Sequence, residues 1–596
     1  MTLPMSKLLR RLWRHVSPRR RRQFGLVLVL MIFASFAEII SIGAVLPFLG
    51  VLTAPDRVFE LPVTQPIIEL FDLKKPEQLL FPLTAAFCVA ALLAGTMRIL
   101  LLWASTRLSF ATGADLSISV YRRTLYQPYA VHMARNSSEI INGISNKTRS
   151  VTGIMSMLLN IIGSVVMLIS ILIAMLSVDL TIALVIFGGF GLIYASIIRI
   201  TRKRLLLESQ CMSRESSHVI KSLQEGLGGI RDVLIDGTQD TYCQIYRNAD
   251  LPFRRAQGNV TIISASPRYV IEALGMMLIA LLAFTLAQES DGIAKAMPVL
   301  GALAIGIQRL LPILQLAYSS WSGIQGGQSQ LQDALDLLDQ PLPAYADHPD
   351  DNVLQFNKHI SLNQLSFQYS PQSPWVIRDI NLTIVKGSRI GFIGTTGSGK
   401  STILDIVMGL LQPTCGAIEI DGQPITIGNK RAWQAHVAHV PQTIFLADST
   451  IEENIAFGIP SGQIDRDRVR KSAAQAQIAE SIEILPKQYQ TVVGERGVRL
   501  SGGQRQRIGI ARALYKQADV IIFDEATSAL DNETEKAVML AIESLSKHLT
   551  LLIIAHRLTT LKNCTQIVEL ADGSIKSIGS YQDIMNLTIH KQFRYI

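Results

Sequence analysis

The stretch GTTGSGKST, Gly394 to Thr402, lies between the apolar run RIGFI and the run ILDIVMGLL. Strand, glycine-rich turn and helix is the context in which successive backbone N–H groups can point inward at phosphate oxygens. Gly394, Thr395, Thr396, Gly397, Ser398 and Gly399 would form that turn, and the helix after it presents its positive end to the anion. Lys400 would reach the β- and γ-phosphates of a nucleotide, the Ser401 hydroxyl would ligate Mg²⁺, and Thr402 completes the loop. A chain of this length shows the spacing G-x4-G-K-[ST] by accident about once in fifty, so other residues must support the reading.

They follow in the same half. VIIFDE ends in Asp524 and Glu525, two carboxylates at the tip of an apolar strand. One can hold Mg²⁺ through water while the other orients and deprotonates an attacking water. LSGGQRQR, Leu500 to Arg507, precedes that strand, and LLIIAHR, which ends in His556 and Arg557, follows it. Strand-like runs such as SRIGFIG and DVIIFDE alternate with helix-like runs, the pattern of an α/β domain.

Residues 353–596 therefore resemble the nucleotide-binding domain of ATP-binding-cassette (ABC) transporters. The resemblance implies ATP and Mg²⁺ as cofactors. It implies that Tyr369, in LSFQY, stacks on adenine, although Trp375 competes for that role. Gln442, in HVPQTIF, would contact Mg²⁺ and the attacking water. Ser501, Gly502, Gly503 and Gln504 would grip the γ-phosphate of an ATP held by a partner, Asp531 would form the D-loop, and His556 would touch the γ-phosphate. TVVGERG, Thr491 to Gly497, resembles a segment beside the signature of exporter-type cassettes. The chain holds one phosphate loop and one signature, and in this family each ATP is clamped between two cassettes. The resemblance thus implies a dimer, with two equivalent sites in a homodimer favoured and a heterodimer still open.

The first half must carry the rest of the machine. The chain has 596 residues, 48% of them hydrophobic and 17% charged, against about 25% charged in an ordinary soluble domain. A helix needs about 20 apolar residues to cross the hydrocarbon core. Six segments meet that need: Gly25–Leu52, Leu80–Trp103, Ile154–Leu176, Leu180–Ile197, Tyr269–Leu286 and Met297–Tyr318. The first is longer than a signal core and lacks a small-residue cleavage site, so it reads as a span that stays. Lys7, Arg10, Arg11, Arg14 and Arg19 to Arg22 precede it, and basic residues crowd the long loops after the second and fourth spans. That bias places both termini and the cassette in the cytoplasm, in the inner membrane, with no nucleic-acid partner. The expected division is a membrane domain over 1–325 with a basic N-terminal elbow, a polar linker over 326–352, and the cassette. Fold class is then a six-helix membrane bundle of exporter type followed by an α/β P-loop domain.

By the same resemblance the long loops end in short coupling helices, near Pro128–Arg135 and Asp232–Thr241. Glu38, Arg98, Arg268, Glu272 and Arg309 fall within or at the ends of the spans. Intramembrane charges usually face the bundle interior, where they pair or line a path. Glu38 with Arg98 and Arg268 with Glu272 would make structural ion pairs. Alternatively Arg98, Arg268 and Arg309 line a cavity that holds an anionic head group, with Glu38 among the candidate substrate residues, since guanidinium suits phosphate. Glu38, Gly43, Pro47 and Phe48 are similar to the first span of PglK-type flippases of lipid-linked oligosaccharides. Thr64 to Leu73 would then be an external amphipathic helix, though a plain loop fits as well. The resulting expectation is ATP-driven flipping or export of an amphipathic, phosphate-bearing glycolipid or lipid-linked oligosaccharide. A multidrug, peptide or general lipid exporter is the alternative, and an ATP-gated channel shares the layout. The spans argue against a soluble cassette acting on nucleic acid.

Overall fold

The computed structural model describes residues 3–592 apart from 45–46, 49–50, 52–54, 60–64, 66–67, 70–71, 177–179, 288–291, 347–353, 526–531, 544–547 and 556. It divides into two compact units. One is Met1–Gln127 with Arg135–Leu342, and the other is Pro128–Ala134 with Pro343–Ile596.

The first unit is helical. A short helix α1 (Met5–His15) precedes α2 (Pro18–Gly43), whose first residue is a proline, tolerated where the N–H has no partner anyway. Long helices follow: α3 (Leu80–Leu125), α4 (Thr148–Leu176), α5 (Leu180–Gly228), α6 (Gln239–Ala287) and α7 (Gly292–Gly326). All six expected spans fall on these long helices, the first only as far as Gly43. Among the described residues, Pro18–Ser41, Pro76–Leu125 and Ser137–Ile173 are long and apolar enough to cross a membrane. Helices α3 and α5 hold 46 and 49 residues. At 1.5 Å per residue they run to roughly 70 Å, about twice the hydrocarbon thickness, so each extends well past its apolar part. Residues 177–179 lie outside the described residues, as does half of the external helix expected over Thr64 to Leu73.

The linker expected over 326–352 starts later than the sequence reading placed it. Gln328–Leu338 forms a helix, α8, that buries Leu331, Ala334, Leu335 and Leu338. Those residues recur at i, i+3, i+4 and i+7, one face of a helix, and the polar residues between them made the segment read as a linker. They pack in one core with Leu8, Leu12 and Val16 of the N-terminal segment and with Leu116, Val120, Val151 and Ile154. The short helices expected along the long loops are Tyr129–Ala134 and Ile230–Ile235. The second starts ahead of the expected Asp232, and the chain then turns through Gly237, whose φ is 65°.

The second unit carries two sheets. Strands β1 (His359–Phe367), β2 (Ile377–Val385), β4 (Cys415–Ile420) and β5 (Gln423–Pro424) form an antiparallel sheet in the order β2-β1-β4-β5. The larger sheet runs β10-β9-β3-β8-β7-β6, from β3 (Arg389–Gly394), β6 (Val437–Val440), β7 (Val520–Asp524), β8 (Thr550–Ile554), β9 (Gln566–Ala571) and β10 (Ser574–Gly579). From β9 to β6 its pairings are parallel. Parallel strands are buried on both faces, which is why TLLII and VIIF read as unbroken apolar runs rather than alternating ones. Ile521 and Phe523 enter one core and Val520 and Ile522 the other, on opposite faces of the sheet.

Candidate active site

The order β3-β8-β7-β6 decides where the chemistry gathers. Parallel strands end on one side, and ligands of open α/β sheets bind outside their carboxyl ends. The phosphate loop follows β3, Asp524 and Glu525 end and follow β7, and Gln442 follows β6. His556 follows β8 in sequence; its placement, like that of Asp531, lies outside the described residues.

The loop conformation requires its glycines. Gly397 and Gly399 take φ of 84° and 97°, and Gly394 takes 150°. A Cβ on Gly394 would fall 2.3 Å from the Leu570 carbonyl oxygen, so no side chain fits there. Helix α9 (Lys400–Val407) starts directly after Gly399 and presents its N-terminus to the loop. Lys400 is buried, and its Nζ donates to the carbonyls of Gly394 and Thr395, both at 2.9 Å. Burial pushes its ammonium below the ordinary lysine range while Glu525 and Asp524 pull the other way. The cation is thus held at the loop mouth with two carboxylates in electrostatic reach. Thr395, Thr396 and Ser401 are exposed there, and Ser398 is buried beneath.

Glu525 sits in the left-handed region at φ 49°, an uncommon conformation for a glutamate. Its N–H donates to the Ile554 carbonyl at 3.2 Å, which fixes the turn after β7 against β8. Gln442 Nε2 donates to Glu525 Oε2 at 3.1 Å, so two expected residues from different strand ends meet. An amide donor orients a carboxylate without carrying a charge that would neutralise it. Tyr369 is 50% exposed. Its hydroxyl lies 3.2 Å from Thr402 Oγ1, and its ring stands edge-on to Phe367 at 5.0 Å. That places an open aromatic surface beside the phosphate loop, suited to a base. Trp375 is also exposed.

The signature residues are built differently. Ser501 caps helix α10 (Gly502–Tyr515): its Oγ accepts from Gln504 N–H at 3.2 Å, and Gln504 Oε1 accepts from Ser501 N–H at 2.9 Å. This reciprocal capping box engages the Gln504 side chain in holding the helix start, with Gly502 and Gly503 in its first turn. Among the described residues no hydrogen bond joins 501–504 to 394–402. Helix α10 does reach the Gln442 loop, where Arg512 Nη1 donates to the Phe445 carbonyl at 3.0 Å and Gln506 Nε2 to that of Pro441 at 3.4 Å.

Asp405 escaped the sequence reading. It stands one turn beyond Ser401 on α9, a spacing of i, i+4 that carries both to one face. Its carboxyl is pushed up to about 6, first by burial and then by the charge on Asp524.

In the helical unit, Glu38 is 2% exposed and Arg98 clamps it from α3 with both arms. Nε donates to Oε2 at 2.8 Å and Nη2 to Oε1. Arg268 and Glu272 approach at 3.9 Å one turn apart. Arg309 falls on α7, and its side chain lies outside the described residues.

Residues 24–292 match the ABC transporter transmembrane region, and 377–528 match the ABC transporter family. The chain is 31% identical to the ATP-dependent lipid A-core flippase of Saccharophagus degradans over 482 residues, 79% of each chain. It is 30% identical to the protein of that name from Alkalilimnicola ehrlichii over 404 residues, covering 67% of this chain and 68% of the relative. Its fold is similar to a bacterial Atm1-family ABC exporter with ATP bound, at a TM-score of 0.77, 24% identity and 96% of both chains. The chain therefore belongs to the ABC transporters, as an exporter half-transporter that joins a membrane-embedded helical region to an ATP-binding, ATP-hydrolysing domain.

Proposed function

We propose that this half-transporter uses ATP hydrolysis to move an amphipathic lipid or glycolipid across the inner membrane, working as a dimer. The Gln442–Glu525 hydrogen bond beside the phosphate loop carries the chemical part. Glu525 is the base that takes a proton from the attacking water, and Gln442 orients both. Lys400 and the N–H groups of Gly394 to Thr402 hold the β- and γ-phosphates, and the Tyr369 ring receives adenine. Ser401 hydroxyl, Asp524 carboxylate and the Gln442 amide oxygen are hard oxygen donors, a set that suits Mg²⁺. Mg²⁺ would supply neutralisation of phosphate charge there. Ser501, Gly502, Gly503 and Gln504 serve the nucleotide of a second copy through the N-terminus of α10, with Asp531 and His556 completing the site. Two copies of this chain are the simplest assembly; a heterodimer satisfies the same geometry.

Relatives named lipid A-core flippases support a lipid substrate. The likeness of Glu38, Gly43, Pro47 and Phe48 to PglK-type proteins supports the finer reading, a lipid-linked oligosaccharide. One observation favours a different exporter, for drugs, peptides or general lipids: Arg98 is committed to Glu38 as an ion pair. Both termini and the cassette lie in the cytoplasm on this reading, as the basic loops suggest. Reconstitution into liposomes tests it: ATP-dependent movement of a lipid-linked oligosaccharide supports the finer reading. Movement of simple lipids or drugs alone supports the second, and movement of none with ATP hydrolysed removes both.

A further inference from the structure

The first acidic residue in the chain is Glu38, yet Lys7, Arg10, Arg11, Arg14 and Arg19 to Arg22 precede it. The structure sorts these cations into two sets. Arg11 donates to Asp336 at 2.8 Å and to Asp339 at 2.5 Å, and Arg20 to Asp115 at 2.8 Å. Arg21 donates to the carbonyls of Val16 and Trp13, and its guanidinium lies over the Trp13 ring. These three hold the N-terminal segment to the protein.

Lys7, Arg10, Arg14, Arg19 and Arg22 are all exposed, and among the described residues none has a side-chain hydrogen bond or ion pair. Lys7, Arg10 and Arg14 stand at i, i+3 and i+7, one stripe of α1 opposite the side that buries Leu8 and Leu12. Arg19 and Arg22 stand at i, i+3 in the first turns of α2. Depth follows from helix geometry. Arg22 precedes the apolar run at Gly25 by three residues, roughly 4.5 Å, and Arg19 by roughly 9 Å. The headgroup layer on each side of a bilayer is about 5–8 Å thick. Trp13 packs edge-on against Phe24 at 5.6 Å, which ties α1 to the level of the span's first turn. Tryptophan is the residue that favours that interface.

We infer that Lys7, Arg10, Arg14, Arg19 and Arg22 form a docking surface for the headgroups of anionic phospholipids in the leaflet at the N-terminal end of α2. Each cation near an anionic surface contributes on the order of fivefold in affinity. Headgroups held there would fix α1, and with it α8, through Arg11 and His15 on Asp336 and Asp339.

The test is native mass spectrometry of the full-length protein in detergent with phosphatidylglycerol or phosphatidylcholine added. Wild type should retain phosphatidylglycerol preferentially and gain thermal stability from it alone. The variant K7Q/R10Q/R14Q/R19Q/R22Q should lose both effects, while the set of the four arginines changed to lysine keeps them. If the fivefold variant fails to accumulate, R10Q/R14Q should weaken retention on the order of 25-fold by the same per-charge figure. Unchanged phosphatidylglycerol retention in either glutamine variant overturns the inference, as does equal retention of both lipids by wild type.

Discussion

Glu525 in the second unit and Glu38 in the first are both glutamates met by a side chain from another element, and their surroundings fit them for opposite tasks. Glu38 is almost completely buried, and a guanidinium takes both its oxygens. Its charge is neutralised on the spot, which suits a brace between α2 and α3. Glu525 is half-buried and meets an amide, which orients the carboxylate and leaves its charge for chemistry. Burial of a carboxylate alone therefore does not mark function; what neutralises it does.

Glu525→Gln separates the two glutamates most strongly. It should keep ATP binding and cut hydrolysis by roughly 10²–10⁴-fold, the usual worth of a general base. Near-normal turnover, measured by phosphate release, would remove the base assignment and leave Glu525 as structural as Glu38.

The helical unit should answer in stability instead. Arg98→Ala leaves a buried carboxylate without its guanidinium and should cost about 3 kcal/mol, the low end for a broken buried pair because Arg98 is half exposed. The double change Glu38→Gln with Arg98→Gln should recover most of that loss. If Arg98→Ala leaves the melting temperature untouched but abolishes transport, the arginine meets substrate.

Smaller effects distinguish capping from ligand contact at the signature. Gln504→Ala removes half of the capping box and should cost about 1 kcal/mol of domain stability. Gln504→Glu, which can still accept from Ser501 N–H, should restore it. Restored stability with hydrolysis still lost would assign Gln504 to the nucleotide.

The smallest expected effect is pH-dependent. Asp405 binds its proton more tightly folded, at about 6, than the ordinary value of 3.8. Its contribution to stability is therefore complete below about pH 4 and is lost as pH rises through about 6. Asp405→Asn should abolish that loss, an effect on the order of 1 kcal/mol above pH 7 given partial exposure. Identical pH–stability curves would show that the carboxyl titrates normally.

The fold was legible in the sequence wherever one local rule dominated. RIGFI and VIIF could be seen as apolar strands, and GTTGSGKST as the turn after one of them; that they run parallel is visible only in the structure. The apolar runs announced the long helices. Gln328–Leu338 was missed because its buried face is a narrow stripe among polar residues, and only packing against Leu8 and Leu12 shows what it is for. At the site, the glycine spacing singled out Lys400 and the strand tip singled out Glu525 as candidates, while the meeting of Gln442 with Glu525 depends on strand order, which no local pattern encodes. Asp405 carried a signal, its i, i+4 relation to Ser401, but its burial is tertiary. Gln504 shows a second case: the resemblance marks it for a nucleotide, and only the structure shows that its side chain also caps α10.

On the proposed mechanism each ATP is hydrolysed between the phosphate loop of one copy and the signature of another. Lys400→Ala and Ser501→Ala proteins, each inactive alone, should regain hydrolysis when mixed in detergent and co-reconstituted, because a mixed pair contains one intact loop facing one intact signature. Hydrolysis no greater than the sum of the two separate variants would contradict it.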